Sequence, residues 1–217
     1  MASNRLNPSK RYHEMLALYR DMHERGEQFL GLGPESTYPG VSVLPHLARI
    51  KELIDTTGAA TVLDYGCGKG IQYELHPVKV PGMGEVESVI DYWDIDEVAC
   101  YDPCYRPYSR LPEGRFDGVV CTDVLEHCPE EDIPWIVGEL FGYAERFVFA
   151  SIACYPAKSR LPNGENAHCT IRPLEWWRDV FADTAARFPP VVWKLLVESK
   201  VSSAPGDTRI VADMLGG

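Results

Sequence analysis

The sequence predicts an α/β protein whose central sheet is doubly wound, with helices on both faces. Short apolar runs typical of strands alternate along the middle of the chain with segments whose apolar residues recur at helical spacing. Two strand-like segments joined by a turn follow near the carboxyl terminus, and they favour an antiparallel pair at one side of the sheet. Together these patterns indicate a three-layer αβα sandwich.

Two helices are expected before the first strand. Residues 9–30 carry one apolar and aromatic stripe, and a Gly- and Pro-containing segment at 31–34 breaks the pattern. A second helix is expected from residue 43 or 45 to 57, with Gly58 placed to end it. We expect one domain over 1–217, in which the helices of 1–58 cover the site of the core formed by 59–217.

The later elements follow from short apolar runs for strands and three-to-four-residue apolar spacing for helices. In order, the sequence predicts strands 60–65, 96–102 and 116–122, helix 130–145, strand 146–152, helix 173–188, and strands 191–198 and 208–214 with a turn at 205–207. Residues 74–95 fit no simple crossover helix, so we interpret them as an insertion with a short helix over 85–93.

Net charge, apolar runs and cysteine spacing argue against several classes of function. The formal charge of −11 argues against a large basic surface for duplex DNA. No apolar run is long enough for a membrane span, and the first residues lack the apolar centre of a secretion signal, so a cytoplasmic protein is expected. The seven cysteines include no Cys-x-x-Cys pair, which makes a structural zinc site improbable.

The most informative motif is the run Asp64-Tyr65-Gly66-Cys67-Gly68-Lys69-Gly70, which follows the first predicted strand. A phosphate-binding P-loop would need Ser or Thr where Gly70 stands, and a dinucleotide fold would need Gly-x-Gly-x-x-Gly. The leading carboxylate of Asp64 would repel pyrophosphate but suits a ligand that carries an ammonium or sulfonium group.

The Asp-x-Gly-x-Gly-x-Gly pattern resembles the cofactor loop of the class I S-adenosylmethionine-dependent methyltransferases. A second motif, the run from Phe116 through Val-Leu-Glu to His127, resembles the fourth-strand motif of the branch that includes the ubiquinone-biosynthesis O-methyltransferases. The resemblance covers residues 61–152. It implies a Rossmann-like fold, S-adenosyl-L-methionine as cofactor, and methyl transfer to a small-molecule or nucleotide acceptor.

The same resemblance assigns roles to individual residues. The cofactor-binding residues that it implies are Asp64, Tyr65, Gly66, Cys67, Gly68, Asp102, Pro103, Asp123 and Val124. Asp102 would hold the two ribose hydroxyls, because a carboxylate offers two acceptors to two vicinal donors. The chain departs from the family over 103–115, where a helix, a strand and an adenine contact are missing. The nearest candidates for that contact are Tyr105, Tyr108 and Ser109.

Methyl transfer from a sulfonium is an in-line displacement that needs alignment, and a base only when the acceptor carries a proton. His127 and His168 are the candidate bases. As an alternative, Asp123-x-x-Glu126-His127 with His168 resembles the metal site of the small-RNA 3′-terminal 2′-O-methyltransferases. In that case Glu126, His127 and His168 would hold a divalent ion. A non-catalytic protein that binds the cofactor or a partner protein also stays open.

Overall fold

The computed structural model describes residues 3–80, 84–204 and 207–217. Its helices are α1 (Lys10–Arg25), α2 (Leu47–Thr57), α3 (Val89–Trp93), α4 (Ile133–Tyr143) and α5 (Leu174–Ala185). Its strands are β1 (Thr61–Tyr65), β2 (Val78–Val80), β3 (Gly84–Val86), β4 (Glu97–Tyr101), β5 (Phe116–Thr122), β6 (Ala144–Cys154), β7 (Val192–Ala204) and β8 (Asp207–Gly216).

Six of the strands form one sheet in the order β4-β1-β5-β6-β7-β8. The first five run parallel, and β8 pairs antiparallel with β7 along the edge. Because β1, β4 and β5 are parallel neighbours, their carboxyl ends meet at the same edge of the sheet. The order reverses beside β1, which is the place where open α/β sheets bind ligands.

The two faces of the sheet pack against different helices, because successive side chains in a strand point to opposite sides. Val62, Val120 and Phe149 face α2 and α3. Leu63 and Val148 belong to the other cluster, which contains α4 and α5. The protein is therefore a three-layer αβα sandwich with a Rossmann-like, mostly parallel sheet and an antiparallel C-terminal strand pair, which confirms the predicted fold class.

The predicted end of the first helix is wrong by five residues. The helix stops at Arg25, and Gly26 follows at φ 87°, a conformation that glycine adopts without strain. The carboxylate of the buried Glu27 then accepts hydrogen bonds from the backbone N–H groups of Phe29 and Leu30. This side chain stabilises a turn where the apolar pattern suggested more helix.

Other element boundaries also differ from the predicted ones. The predicted helix 130–145 is a 3₁₀ turn followed by α4, and β6 begins at Ala144 without a loop. The predicted insertion between the first two strands of the sheet is confirmed, but it contains the β2–β3 hairpin as well as α3. The proposed turn at 205–207 lies partly outside the described residues, since only Asp207 of it is described. No helix in the described part of the chain is both long and apolar enough to cross a bilayer.

Candidate cofactor and acceptor site

A cavity of about 120 Å³, which opens to solvent, lies between α1 and the carboxyl ends of β1, β4 and β5. Its floor contains Gly66 and Gly68 after β1, Asp102 after β4, and Asp123 and Val124 after β5. These sequence-predicted residues are far apart in the chain, and the parallel sheet brings them together. Tyr65, Pro103 and His127 also line the cavity.

Helix α1 forms the wall opposite this floor. The residues that it contributes are Tyr12, Met15, Leu16, Tyr19 and His23, whose spacing places them on one helical face. The start of α1 is fixed by Ser9, whose hydroxyl accepts a hydrogen bond from the Tyr12 N–H and donates to the buried carboxylate of Asp132 at 2.5 Å. The Ser9 N–H donates to the same carboxylate at 3.0 Å. The wall is therefore anchored to the turn that precedes α4.

The glycine loop, residues 66–70, has its backbone N–H groups already paired. The N–H groups of Gly66 and Cys67 donate to the Tyr101 carbonyl at 2.7 and 3.1 Å. The Gly68 N–H donates to the Asp102 carboxylate at 3.0 Å, and the next four N–H groups donate to backbone carbonyls. The loop therefore positions Asp102 but offers a ligand no free backbone donor.

A second turn, residues 38–40, packs directly on the glycine loop. The Tyr38 carbonyl accepts a hydrogen bond from the Lys69 N–H at 3.1 Å. A Cβ atom on Gly40 would lie 2.1 Å from the Cys67 carbonyl oxygen, and one on Gly68 would lie 2.6 Å from the Tyr38 carbonyl oxygen. Glycine is required at both positions because no side chain fits between the two backbones.

Asp64 lies beneath the cavity rather than on its surface. Its carboxyl group is fully buried and accepts hydrogen bonds from the Gln72 amide at 2.8 Å and the Tyr73 hydroxyl at 2.9 Å. Burial raises the pKa of Asp64 to about 7, and the nearby Asp102 adds to this effect. The Cys67 side chain is buried too, and neither residue is among those that line the cavity.

Asp102 faces the cavity with a carboxylate that also shapes the following turn. Besides the Gly68 N–H, it accepts hydrogen bonds from the N–H groups of Cys104 at 2.8 Å and Tyr105 at 3.1 Å. Burial raises the pKa of Asp102, while these three N–H groups and the Lys69 ammonium oppose the rise. One oxygen accepts two bonds and the other accepts one, so the group retains acceptor capacity for a ligand hydroxyl.

Asp123 occupies a backbone conformation that is unusual for its residue type. Its φ is 55°, and its side chain accepts a hydrogen bond from the Ser151 hydroxyl at 3.0 Å. Such left-handed residues are uncommon outside glycine and cluster at functional sites. The residue is exposed towards the cavity, and partial desolvation raises the pKa of its carboxyl group to about 6, with a further contribution from Glu198.

Glu126, His127 and His168 converge beside the cavity, which His127 lines and the other two do not, although His168 is distant in sequence. One ligand atom from each lies within 4.8 Å of the others. The loop that carries His168 is held in place by the N–H groups of Cys169 and Thr170, which donate to the Glu126 carbonyl at 2.9 and 3.0 Å. These backbone bonds explain how the two predicted histidines come to lie side by side.

The three side chains of this cluster differ in their hydrogen bonds and in the direction of their pKa shifts. One carboxyl oxygen of Glu126 accepts a hydrogen bond from the Ala153 N–H at 2.8 Å, and the other is buried with no partner among the described residues. Burial raises the pKa of Glu126 well above its ordinary value and lowers the pKa of His127 to about 3. His168 has a pKa lowered by burial, and its Nδ1 lies 2.5 Å from the Tyr155 carbonyl.

An unpartnered buried carboxylate oxygen and two neutral imidazoles fit a divalent ion. Because a carbonyl oxygen can only accept, the contact to Tyr155 requires a proton on Nδ1 of His168 and leaves Nε2 with a free lone pair. Metal-bound histidines commonly donate their other ring N–H to such a backbone carbonyl. Asp123 and Glu198 lie close enough to influence the charge of this cluster.

The candidate adenine contacts Tyr105 and Tyr108 pack against different neighbours. The Tyr105 ring lies 5.4 Å from the ring of His23 on α1, and its face also contacts the Lys69 ammonium at 5.2 Å. Tyr108 packs towards Gly70, and its carbonyl accepts a hydrogen bond from the Asp102 N–H. Tyr105, Tyr108 and Ser109 are not among the residues that line the cavity.

Sequence reasoning missed some of the cavity wall. Tyr38, Cys104, Cys128, Pro129 and Ile136 line the cavity, and none was predicted as a site residue. For Tyr38, the Pro-Gly pair that follows it is typical of a turn but does not indicate that the turn packs against the glycine loop. Cys104 and Cys128 each lie close to a predicted site residue in the sequence, so proximity to the motifs was the available signal.

Comparison with known proteins finds no matching family model and no matching curated protein. Solved structures that align with the chain include two methyltransferases. An O-methyltransferase family protein from Burkholderia thailandensis aligns with 78% of this chain and 55% of its own, at 14% identity and a TM-score of 0.44. This chain thus spans about half the length of that protein.

The second structure is magnesium protoporphyrin IX methyltransferase from Synechocystis PCC 6803, which was solved with bound SAM. It aligns with 92% of this chain and 96% of its own, at 15% identity and a TM-score of 0.46. At these values neither likeness assigns this chain to a family.

Proposed function

We propose that this protein transfers a methyl group from S-adenosyl-L-methionine to a small-molecule or nucleotide acceptor. The observation that carries the proposal is the cavity in which Asp102 and Asp123 lie at the ends of neighbouring parallel strands, opposite the apolar wall of α1. Two carboxylates suit a ligand that carries both a diol and a cationic sulfonium centre. The apolar wall excludes water from the reacting atoms.

In this proposal Asp102 binds the ribose hydroxyls, and Asp123 and Val124 flank the sulfonium. Gly66 lets the loop approach Val124, because a Cβ atom there would lie 2.3 Å from a Val124 methyl carbon. When bound, S-adenosyl-L-methionine would supply the methyl group to an acceptor atom at the His127 side of the cavity and would leave as S-adenosylhomocysteine. His127 or His168 accepts a proton when the acceptor atom carries one, since both are neutral in this environment.

Calorimetric titration with S-adenosylhomocysteine tests the cofactor assignment. We expect the wild-type protein to bind, and Asp102→Ala to weaken binding by about tenfold or more, the value of one to two hydrogen bonds to a charged group. Asp96→Ala is the matched control, because Asp96 is exposed at the opposite end of β4. Failure of the wild-type protein to bind the cofactor product would overturn the proposal.

The roles of the histidines require a separate measurement. In methyl-transfer assays at saturating cofactor, His127→Gln and His168→Gln distinguish a base from alignment alone. A loss of about 10²-fold or more in kcat in either variant supports proton transfer. Full activity in both variants leaves alignment as the whole contribution of the protein.

A second candidate, metal-assisted O-methylation of a ribose, is favoured by the unpartnered oxygen of Glu126 beside His127 and His168. These three residues would hold the ion, and mixed nitrogen and oxygen donors suit several divalent transition metals. When bound, such an ion would lower the pKa of a coordinated hydroxyl.

Titration of the metal-free protein with Mn²⁺ or Co²⁺ tests this candidate without an activity assay. We expect one equivalent to bind to the wild-type protein and binding to be lost in Glu126→Gln, which keeps an acceptor for the Ala153 N–H. The matched control is Glu139→Gln, which changes a carboxylate that pairs with Arg5 away from the cluster. No binding at millimolar metal would contradict the candidate.

A further inference from the structure

Three groups from different parts of the chain form a closed hydrogen-bonding triangle beside the cavity. The Tyr19 hydroxyl of α1 lies 2.8 Å from Nδ1 of His127 and 2.7 Å from the Ala167 carbonyl oxygen. The same Nδ1 lies 3.1 Å from the Ala167 oxygen. Tyr19 is 9% exposed and Ala167 is fully buried, so these groups depend on one another for hydrogen bonds.

The chemistry of the three groups allows one complete arrangement of protons. The Ala167 oxygen can only accept, and the Tyr19 hydroxyl has a single proton to donate. With a proton on Nδ1, His127 donates to the Tyr19 oxygen, Tyr19 donates to Ala167, and all contacts are favourable. With the proton on Nε2, the lone pair of Nδ1 faces the lone pairs of Ala167, and the Tyr19 proton satisfies one of them at most.

We propose that the Ala167 carbonyl holds His127 in the Nδ1–H tautomer, which leaves its Nε2 lone pair free, and that Tyr19 is a positioning residue that supplies a second acceptor for Nδ1. One ligand atom of His127 lies within 4.8 Å of ligand atoms of Glu126 and His168, and Nε2 is the nitrogen that the triangle does not use. The consequence for methyl transfer rests on the function proposed above, whereas the tautomer follows from the triangle alone.

Tyr19 also links the state of His127 to the docking of α1. The helix is anchored at its start by the Ser9–Asp132 bonds, and its inner face forms the cavity wall. A ligand that enters beneath α1 without displacing Tyr19 therefore meets a histidine with a defined free lone pair. If α1 lifts, the triangle opens and Nδ1 of His127 keeps only the Ala167 carbonyl as acceptor.

The ¹⁵N chemical shifts of the histidine side chains test the proposal. The metal-free protein is kept in EDTA, and the His127 signals are assigned from their absence in His127→Gln. We expect a protonated Nδ1 and an unprotonated Nε2 in the wild-type protein. In Tyr19→Phe we expect the Nδ1–H form to persist, because Nδ1 can still donate to the Ala167 oxygen at 3.1 Å, and the Nδ1 signal to shift, because one of its two acceptors is lost.

Tyr12→Phe is the matched control. Tyr12 lines the same cavity from the same helix, and its hydroxyl is not part of the triangle. We expect this variant to keep the wild-type tautomer and the wild-type Nδ1 signal. Circular dichroism checks that both variants fold. We expect Tyr19→Phe to fold as the wild-type protein does, because it retains the ring that packs 5.6 Å from the ring of Tyr38.

Each result of these measurements either supports or contradicts the proposed tautomer and the role of Tyr19. A wild-type His127 in the Nε2–H form, a switch to that form in Tyr19→Phe, or an equal shift of the Nδ1 signal in Tyr12→Phe would overturn the proposal. So would unfolding of Tyr19→Phe alone, since the hydroxyl would then be structural. A protein that shows the expected tautomers but transfers no methyl group would overturn the proposed function and leave this inference intact.

Discussion

Replacing Asp64 by Asn should remove a specific pH dependence of stability. The carboxyl group is fully buried, and one of its oxygens is buried without a partner among the described residues. Burial raises its pKa from 3.8 to about 7. The folded protein therefore holds a proton on Asp64 at pH values where the unfolded chain has released it, so stability falls as pH rises between these two values.

The size of this effect follows from the linkage between proton binding and the free energy of unfolding. Each pKa unit corresponds to about 1.4 kcal/mol, so the cost above the folded-state pKa approaches about 4 kcal/mol. About 2.5 kcal/mol of it falls between pH 5 and pH 8. Asn keeps an acceptor for Gln72 and Tyr73 but cannot ionise. From pH 5 to pH 8, Asp64→Asn should therefore lose about 2.5 kcal/mol less stability than the wild-type protein.

Urea unfolding at pH 5 and pH 8 measures the difference between the two proteins. Subtracting the pH response of one protein from that of the other cancels the contributions of groups, such as the buried histidines, that the two proteins share. Asp183→Asn makes the same chemical change at an exposed position of α5 and should retain the wild-type response. Equal pH responses of wild type and Asp64→Asn would refute the claim that burial controls this carboxyl group.

Two further predictions concern the supports of the cavity. Gly40→Ala should lower the free energy of unfolding by roughly 2–4 kcal/mol, because its Cβ would lie 2.1 Å from the Cys67 oxygen at a φ of 75°. Gly164→Ala, at φ 86° with no atom near its Cβ, should cost about 1–2 kcal/mol from backbone strain alone, and an equal loss in both would contradict the clash. Ser9→Ala should cost about 1–2 kcal/mol in thermal or urea unfolding, since it removes the cap of α1 and a donor to Asp132, while Ser9→Thr should restore most of the loss.

The elements that local sequence patterns define were predicted well. Strand β5 was predicted to the residue, because a run of apolar and β-branched side chains ends where the chain turns at Asp123. The end of α1 was not, because it depends on Gly26 together with the Glu27 carboxylate, which accepts hydrogen bonds from the next turn. A glycine within an apolar helical pattern does not reveal such a partner.

The same distinction applies to the candidate site. Residues that follow strands could be placed at one edge of the sheet from topology alone, as Asp102 and Asp123 were. The approach of His168 to Glu126 could not be derived from spacing, because it depends on backbone N–H groups of residues 169 and 170 that donate to the Glu126 carbonyl. Backbone contacts leave no signature in side-chain identity, so only the resemblance to a metal-binding family suggested this grouping.

The paired N–H groups of the glycine loop change how the cavity would recognise a cofactor. A loop with glycine at alternate positions suggested close backbone contact with a ligand, but the N–H groups of residues 66–72 all donate within the protein. Asp64, the acid expected to attract a sulfonium, lies beneath the cavity with its pKa raised to about 7. Under the proposed function, Asp123 would supply that attraction and Asp102 would bind the ribose, since both line the cavity. The glycines serve instead to let residues 38–40 and Val124 approach the loop, and that approach shapes the floor on which the two carboxylates lie.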